Sequence, residues 1–175
     1  MRVALTTSFL FLVTTAAVAQ MPYAGMQTRP IKALSEQQVS DLNAGRGMGL
    51  ALAAELNGYP GPSHVLELAD KLELSSDQRT QVQGLFASMK AEARPIGKEL
   101  IAQEIELDRL FASRAITPDT LRASTAAIAV TQGELRETHL KYHLSTAALL
   151  TPVQMQRYAE LRGYENGKPG HQHRH

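Results

Sequence analysis

The chain has 175 residues, with 18 Lys or Arg against 17 Asp or Glu, so its net charge at pH 7 is only +1. This balance argues against nonspecific nucleic-acid binding and against an electrostatic hold on a membrane surface. Cys and Trp are absent and aromatic residues make up 5% of the chain. A disulfide framework is therefore excluded, and we expect an aliphatic core.

The N-terminus has the pattern of a cleavable export signal. Arg2 supplies a short positive segment, Val3 to Val13 forms an apolar run, and Ala17-Val18-Ala19 matches an A-x-A cleavage site. The run is too short for a comfortable membrane span. We therefore expect residues 1–19 to be removed and the protein to reach the bacterial periplasm without membrane insertion. Residues 20–33 are a polar lead-in that we expect to be flexible.

A five-residue phrase, Leu-Ser/Thr-x-x-Gln, occurs three times and predicts helix starts. The hydroxyl accepts a hydrogen bond from the backbone N–H three residues later, and the Gln side chain reaches back to the N-cap N–H. The predicted caps are Ser35 with Gln38, Ser75 with Gln78, and Thr151 with Gln154.

The first two predicted helices are short. The first runs from about Ser35 to Asn57, although Gly45, Gly47 and Gly49 lie in its middle. These glycines favour either close backbone packing or a break near Gly47, since each costs about 1 kcal/mol in a helix interior. The Gly- and Pro-rich residues 57–62 stop this helix. We expect Ser63 to cap a short second helix from about His64 to Leu72.

Two long helices and a short one follow. Apolar spacings of three, four and seven predict a helix from Ser75 to about Ala112, bent at Pro95. Thr117-Pro118 starts the next helix, which runs to about Leu149, and Thr151-Pro152 starts the last, which ends near Arg162. Several polar residues interrupt the apolar seam of the second long helix. The whole seam consists of Leu121, Thr125, Ile128, Gln132, Leu135, His139, Tyr142, Thr146 and Leu149.

No run has the alternation of a strand, so we predict an all-α fold with a single domain at residues 34–164. The four-residue turn 113–116 should fold the two long helices into a bent antiparallel hairpin. A hairpin this long buries one stripe on each helix, and the first helix is too short to cover the rest. We therefore expect a homodimer.

Histidines are the main candidates for chemistry. His139 and His143 are four residues apart on a helix, so both imidazoles can reach one metal ion, although both also fit as polar seam residues. His64 heads the short helix and is either a solvent-facing residue or a further donor. The tail, residues 165–175, carries His171, His173 and His175, an alternating tract that binds Zn, Cu or Ni weakly or is simply solvated. Enzymatic motifs are missing, so we predict a protein that is not an enzyme and requires no cofactor.

The export signal, the helical pattern and the phrases at residues 74–78 and 150–154 resemble the Spy/CpxP superfamily of periplasmic LTxxQ-motif proteins. The block Gly47–Pro62 also looks like members of that superfamily, and the resemblance covers roughly residues 34–164. The superfamily includes refolding chaperones and the ZraP- and CnrX-like heavy-metal sensor branches. The resemblance implies a cradle-like homodimer whose concave face holds unfolded clients without ATP. Near the Pro95 bend, that face would be lined by Met89, Ile96 and Leu100.

The leading expectation is therefore an ATP-independent periplasmic chaperone or envelope-stress protein for unfolded or misfolded periplasmic proteins. The alternative is a periplasmic sensor or buffer for Zn, Ni, Co or Cu that uses His139, His143 and the tail, as in heavy-metal resistance. Regulation of a sensor kinase or anti-sigma factor is a third possibility. The resemblance to CnrX-like sensors covers only the later His pair, because the region before residue 63 contains no His.

Overall fold

A computed structural model describes residues 23–164, which form a short 3-10 helix, six α-helices and no strand. The 3-10 helix is Met26–Thr28, and the α-helices are α1 (Glu36–Ala44), α2 (Leu52–Glu55), α3 (Pro62–Glu67), α4 (Ser76–Ala112), α5 (Pro118–Ala147) and α6 (Pro152–Arg162). The all-α class is confirmed. Among these residues, no helix is both long enough and apolar enough to cross a membrane. The predicted export signal and the His-rich tail lie outside the described range.

All three copies of the Leu-Ser/Thr-x-x-Gln phrase form complete capping boxes. They start α1, α4 and α6, as predicted from Ser35 with Gln38, Ser75 with Gln78, and Thr151 with Gln154. A fourth capping box starts α5, where Thr120 takes the place that Gln has in the other three. Each box satisfies two backbone N–H groups that would otherwise lack a partner.

The first predicted helix is interrupted. α1 ends at Ala44 because Gly45 adopts a left-handed conformation with φ +68°. Met48 and Gly49 also have positive φ, at +45° and +82°, and keep the chain in turns until α2. The prediction of one helix to Asn57 is wrong, and the alternative of a break near Gly47 is confirmed.

α3 also differs from its prediction. Gly61, rather than Ser63, is the N-cap, and Pro62 occupies the first helical turn, where its fixed φ and missing N–H cost nothing. The helix ends at Glu67, before the predicted Leu72. Leu72 is nevertheless buried, because turns carry it into the core.

α4 packs more extensively against α5 than any other pair of helices in the described range. The OH of Tyr142 on α5 donates to Glu92 Oε1 on α4 at 2.5 Å, and Lys141 Nζ lies 2.5 Å from the other oxygen of that carboxylate. α1 packs on α4 at Gly97, where an added Cβ would lie 2.5 Å from the carbonyl oxygen of Leu42. The absence of a side chain at residue 97 therefore allows this close approach.

The core consists of two clusters. The first joins α3, α4 and α6 through Val65, Ala69, Leu72, Leu74, Val82, Leu150 and Tyr158. The second joins α1, α4 and α5 through Leu42, Ala93, Leu100, Ile128 and Leu135.

The predicted seam of α5 is buried in only part of its length. Five of its nine members are buried: Ile128, Leu135, His139, Tyr142 and Thr146. Leu121, Thr125 and Gln132 are exposed. Neither core cluster contains a residue from 101–127 as a buried member. These residues, at the turn that joins α4 to α5, are the far end of the α4–α5 pair. The far end therefore has little core of its own.

Candidate functional site

A cavity of about 390 Å³ lies between the segment 45–51, the start of α3, and the long helices α4 and α5. Its polar side chains include Glu55, His64, His139 and His143, and its larger apolar ones include Met48, Leu52, Phe86 and Met89. All three histidines of the described range therefore face one cavity. The local break in the first predicted helix creates this space, because residues 45–51 form turns over α4 and α5.

His143 is 8% exposed and has a defined orientation. Its Nδ1 lies 2.7 Å from the carbonyl oxygen of Tyr59. A carbonyl oxygen only accepts hydrogen bonds, so Nδ1 carries the proton and donates it. In the neutral ring, Nε2 is then left with a free lone pair.

His139 is 2% exposed, and its Nε2 is buried without a hydrogen-bond partner. Burial, helped by the neighbouring His143, lowers the pKa of His139. The ring is therefore neutral at pH 7, and it offers one lone pair and one N–H. An unpaired buried nitrogen usually costs 1–3 kcal/mol, so this atom is the clearest sign that the cavity accepts a ligand.

Two glycines leave room beside these rings. A Cβ added at Gly47 would lie 3.3 Å from Nδ1 of His139. A Cβ added at Gly61 would lie 2.7 Å from both Cε1 and Nε2 of His143. The His143 ring thus packs closely against residue 61, and its position depends on a glycine there.

Glu55 is the functional candidate that the sequence did not reveal. It is 4% exposed, and its Oε2 accepts from the Gly61 N–H at 3.1 Å while its Oε1 accepts from the Tyr164 OH at 3.0 Å and from the Tyr158 OH. Its carboxylate oxygens also lie 3.3 Å from His64 Nδ1 and 3.7 Å from His143 Nδ1. In the sequence Glu55 resembles a surface residue of a helix, and no local signal separates it from one.

The pKa of Glu55 is lowered from 4.5 to about 2. Burial is the largest single influence and raises this pKa. The interactions with His64, Tyr158 and Tyr164 and with the Gly61 N–H together outweigh it. Glu55 therefore holds a buried negative charge at one side of the cavity at neutral pH, with Arg162 Nε 3.6 Å from Oε1.

His64 was predicted as either a solvent-facing residue or a further donor, and it lines the cavity. Its side chain is 37% exposed, while its Nδ1 atom is buried and has no hydrogen-bond partner. Nδ1 faces Glu55 Oε1 at an ion-pair distance without hydrogen-bond geometry. His64 is thus placed to contribute a nitrogen to this cavity.

The donor types suit a transition-metal ion, since imidazole nitrogens and carboxylates bind Zn, Ni, Co and Cu. The free Nε2 atoms of His139 and His143 fit this use. Between residues 23 and 164, however, no three His, Asp or Glu side chains are already grouped as ligands of one ion. Binding through these residues alone would therefore require side-chain rotation.

The predicted client-binding residues lie in or beside the core. Met89 and Leu100 are 7% and 6% exposed, and Ile96 packs against the second core cluster. The chain itself covers Met89 and Leu100, whereas Ile96 is only partly buried. The tail histidines His171, His173 and His175 lie outside the described residues.

Comparison of this chain with protein-family models, with curated proteins and with solved structures finds no match.

Proposed function

We propose that this protein binds a heavy-metal ion in the periplasm, as a sensor or buffer for Zn, Ni, Co or Cu, and that His139 and His143 hold the ion. One observation carries the proposal. His139, whose buried Nε2 has no hydrogen-bond partner, lines a cavity that also contains His64, His143 and the buried carboxylate of Glu55. The resemblance to the metal-sensor branches of the Spy/CpxP superfamily supports the same function.

The hydrogen bond from His143 Nδ1 to the Tyr59 carbonyl supports a ligand role. Metal-binding histidines commonly donate their second ring N–H to a carbonyl or carboxylate, which fixes the tautomer and orients the ring. In this chain that contact directs the lone pair of His143 to Nε2, beside Gly61. His139 needs no deprotonation at neutral pH, because its pKa is already lowered by burial.

Glu55 supplies the charge that a cation requires. Its carboxylate remains ionised because several donors stabilise it. A buried negative charge near the neutral imidazole of His139 favours a cation over a neutral ligand. Glu55 is thus the residue that attracts the ion, while His139 and His143 supply nitrogen donors.

The test is calorimetric titration with Zn, Ni, Co and Cu. The protein carries His171→Ala, His173→Ala and His175→Ala, so that the tail cannot bind. We expect micromolar or tighter binding of at least one ion, and a loss of that binding in His139→Gln. Circular dichroism of the His139 variant shows whether the helices remain. Absence of binding in the tail-substituted protein would refute the proposal.

A second proposal is a chaperone function for unfolded or misfolded periplasmic proteins. It is favoured by apolar side chains at the far end of the α4–α5 pair, where Ile105, Phe111 and Leu121 are exposed. These residues replace Met89, Ile96 and Leu100 as the candidate client surface. Adaptable apolar contacts suit loose binding of many clients.

Suppression of client aggregation, measured with and without metal, tests this second proposal. Phe111→Ser should weaken suppression. Val153→Ser is the control, since Val153 is also apolar and exposed but lies on α6. Equal suppression by both variants would exclude the far end of α4–α5 as the client surface.

The bent hairpin and the cradle-like homodimer form part of the same proposal. The exposed apolar end of α4 and α5 supports self-association, because such surface is usually covered in solution. Light scattering of wild type and Phe111→Ser tests it, and a monomer in both would contradict it. A sensor kinase or an anti-sigma factor is the further partner that a sensing role would require.

A further inference from the structure

Two methionines line the same cavity as the histidines. Met48 lies in the turn segment between α1 and α2, and Met89 lies on α4. Their thioether sulfurs thus belong to different elements that meet at one space. Thioethers are soft donors that favour Cu(I)-type ions.

Met89 is a buried residue of α4 that also lines the cavity. Its side chain is 7% exposed, yet it belongs to neither of the two core clusters. The second cluster includes Ala93, one helical turn further along α4. Met89 is therefore covered at the edge of the core, where the cavity begins.

Local backbone preference does not account for Met48. Its φ is +45°, a left-handed conformation that Gly adopts easily and that other residues adopt at a cost. Both neighbours of Met48, Gly47 and Gly49, are glycines, so this segment already contains the residue type that adopts such a conformation most easily. The side chain is 41% exposed, so burial does not explain its presence either. Strained residues of this kind concentrate at functional sites.

The nitrogen and oxygen donors alone leave a metal site incomplete. In the described part of the chain, no three His, Asp or Glu side chains are grouped as ligands. A closed zinc site normally uses four protein donors of these types or Cys. Further donors, either protein side chains or water, would complete the set around His139 and His143, and the methionines are two that the cavity provides.

We infer that the cavity takes a soft monovalent cation of the Cu(I) type, bound by the sulfurs of Met48 and Met89 together with His139 and His143. This inference rests on the proposed metal-binding function and narrows it to one class of ion. It assigns roles to two residues that a site built only from His and carboxylates would not use.

The test compares Ag(I), a soft monovalent ion that is stable in air, with Zn(II) in titrations of the tail-substituted protein. Met48→Leu and Met89→Leu conserve side-chain volume and remove the sulfur. Met155→Leu is the matched control, because Met155 packs against the first core cluster on α6. Circular dichroism and thermal melts confirm folding, and Met48→Gly removes the same sulfur while relieving the backbone strain.

We expect Ag(I) to bind more tightly than Zn(II). Each of Met48→Leu and Met89→Leu should weaken Ag(I) binding by about tenfold or more, because removing even a residue that only orients a metal ligand typically costs that much. Zn(II) affinity and the Met155 control should remain unchanged. If His139→Gln weakens Ag(I) binding but the Met variants do not, the thioether inference is wrong and the metal-binding function stands. If neither ion binds, the thioether inference is wrong, and the metal-binding function is then decided by the titrations with Ni, Co and Cu.

Discussion

The side-chain amides of Gln78 and Gln154 pair with each other across the start of two helices. Gln78 Nε2 donates to Gln154 Oε1 at 2.9 Å, and Gln154 Nε2 lies 3.1 Å from Gln78 Oε1. The same amides also reach backbone carbonyls, Gln78 that of Leu149 at 2.8 Å and Gln154 that of Leu72 at 3.2 Å. Two capping boxes that are far apart in the sequence are thereby joined into one polar connection above the first core cluster.

This connection predicts that replacing the motif Gln with Ala lowers the free energy of unfolding by different amounts in the three copies of the phrase. Gln78→Ala and Gln154→Ala each remove a cap and a part-buried amide pair, so each should cost about 2–3 kcal/mol of unfolding free energy. Gln38→Ala is the control, because Gln38 is exposed and makes only its capping contact. It should cost about 1 kcal/mol. Urea denaturation measures all three, and equal costs would contradict a role beyond capping.

Two glycines on α4 predict opposite effects of the same substitution. Gly84 has open space where a Cβ would be added, so Gly84→Ala should stabilise the protein by about 0.5–1 kcal/mol through helix propensity. At Gly97 an added Cβ would lie 2.5 Å from the Leu42 carbonyl oxygen. Gly97→Ala should therefore destabilise by about 1–3 kcal/mol. Thermal melts of both variants test this, and a stabilising Gly97→Ala would show that α1 does not approach α4 so closely.

Gly61→Ala should disturb the cavity through one contact. The backbone at Gly61, with φ −82° and ψ 152°, suits alanine, so the only obstacle is the His143 ring, 2.7 Å from the added Cβ. We expect a loss of about 1–3 kcal/mol in stability and weaker metal binding. Combining Gly61→Ala with His143→Ala should recover most of the stability loss, because the ring is gone. Additive losses in the double mutant would contradict this account.

Two titrating groups in the cavity predict a two-stage loss of stability in acid. The folded-state pKa of His139 lies below its ordinary value of 6.5, so the stability gained from its neutral form is present above pH 6.5 and declines as the pH falls below that value. Glu55 has a folded-state pKa of about 2 against 4.5. Its contribution is present above pH 4.5 and is lost as the pH falls towards 2, and it amounts to roughly 3 kcal/mol.

Urea denaturation between pH 7 and pH 3 measures both stages. Glu55→Gln should lose stability at pH 7 and should flatten the stage below pH 4.5. His139→Gln should flatten the stage that begins near pH 6.5. If Glu55→Gln retains the full acid dependence of the wild type below pH 4.5, the stabilising contacts of this carboxylate with Tyr158 and Tyr164 are not those described above.

Local sequence rules predicted the helix starts well and the cavity poorly. The starts of α4, α5 and α6 follow from capping residues and N-terminal prolines, which act within three or four residues. The i,i+4 spacing likewise placed His139 and His143 on one buried face. These features depend on contacts between near neighbours, so they can be read directly from the chain.

Contacts between distant residues account for what the sequence did not reveal. Glu55 lies in a run of Ala and Leu, and its burial depends on Tyr158, 103 residues away. The break after Ala44 depends on three residues with positive φ, of which only two are glycines. Met89 and Leu100 follow a helical apolar pattern, but periodicity does not say whether such a stripe faces a client or the chain's own core.

The central claim is that the Nε2 atoms of His139 and His143 bind a metal ion. Long-range ¹H–¹⁵N correlation spectra of the histidine rings, recorded before and after addition of Zn(II) to the tail-substituted protein, test it most directly. We predict that His143 carries its proton on Nδ1 without metal, and that the Nε2 signals of both residues shift when the ion is added. Unchanged Nε2 signals at saturating Zn(II) would contradict the claim.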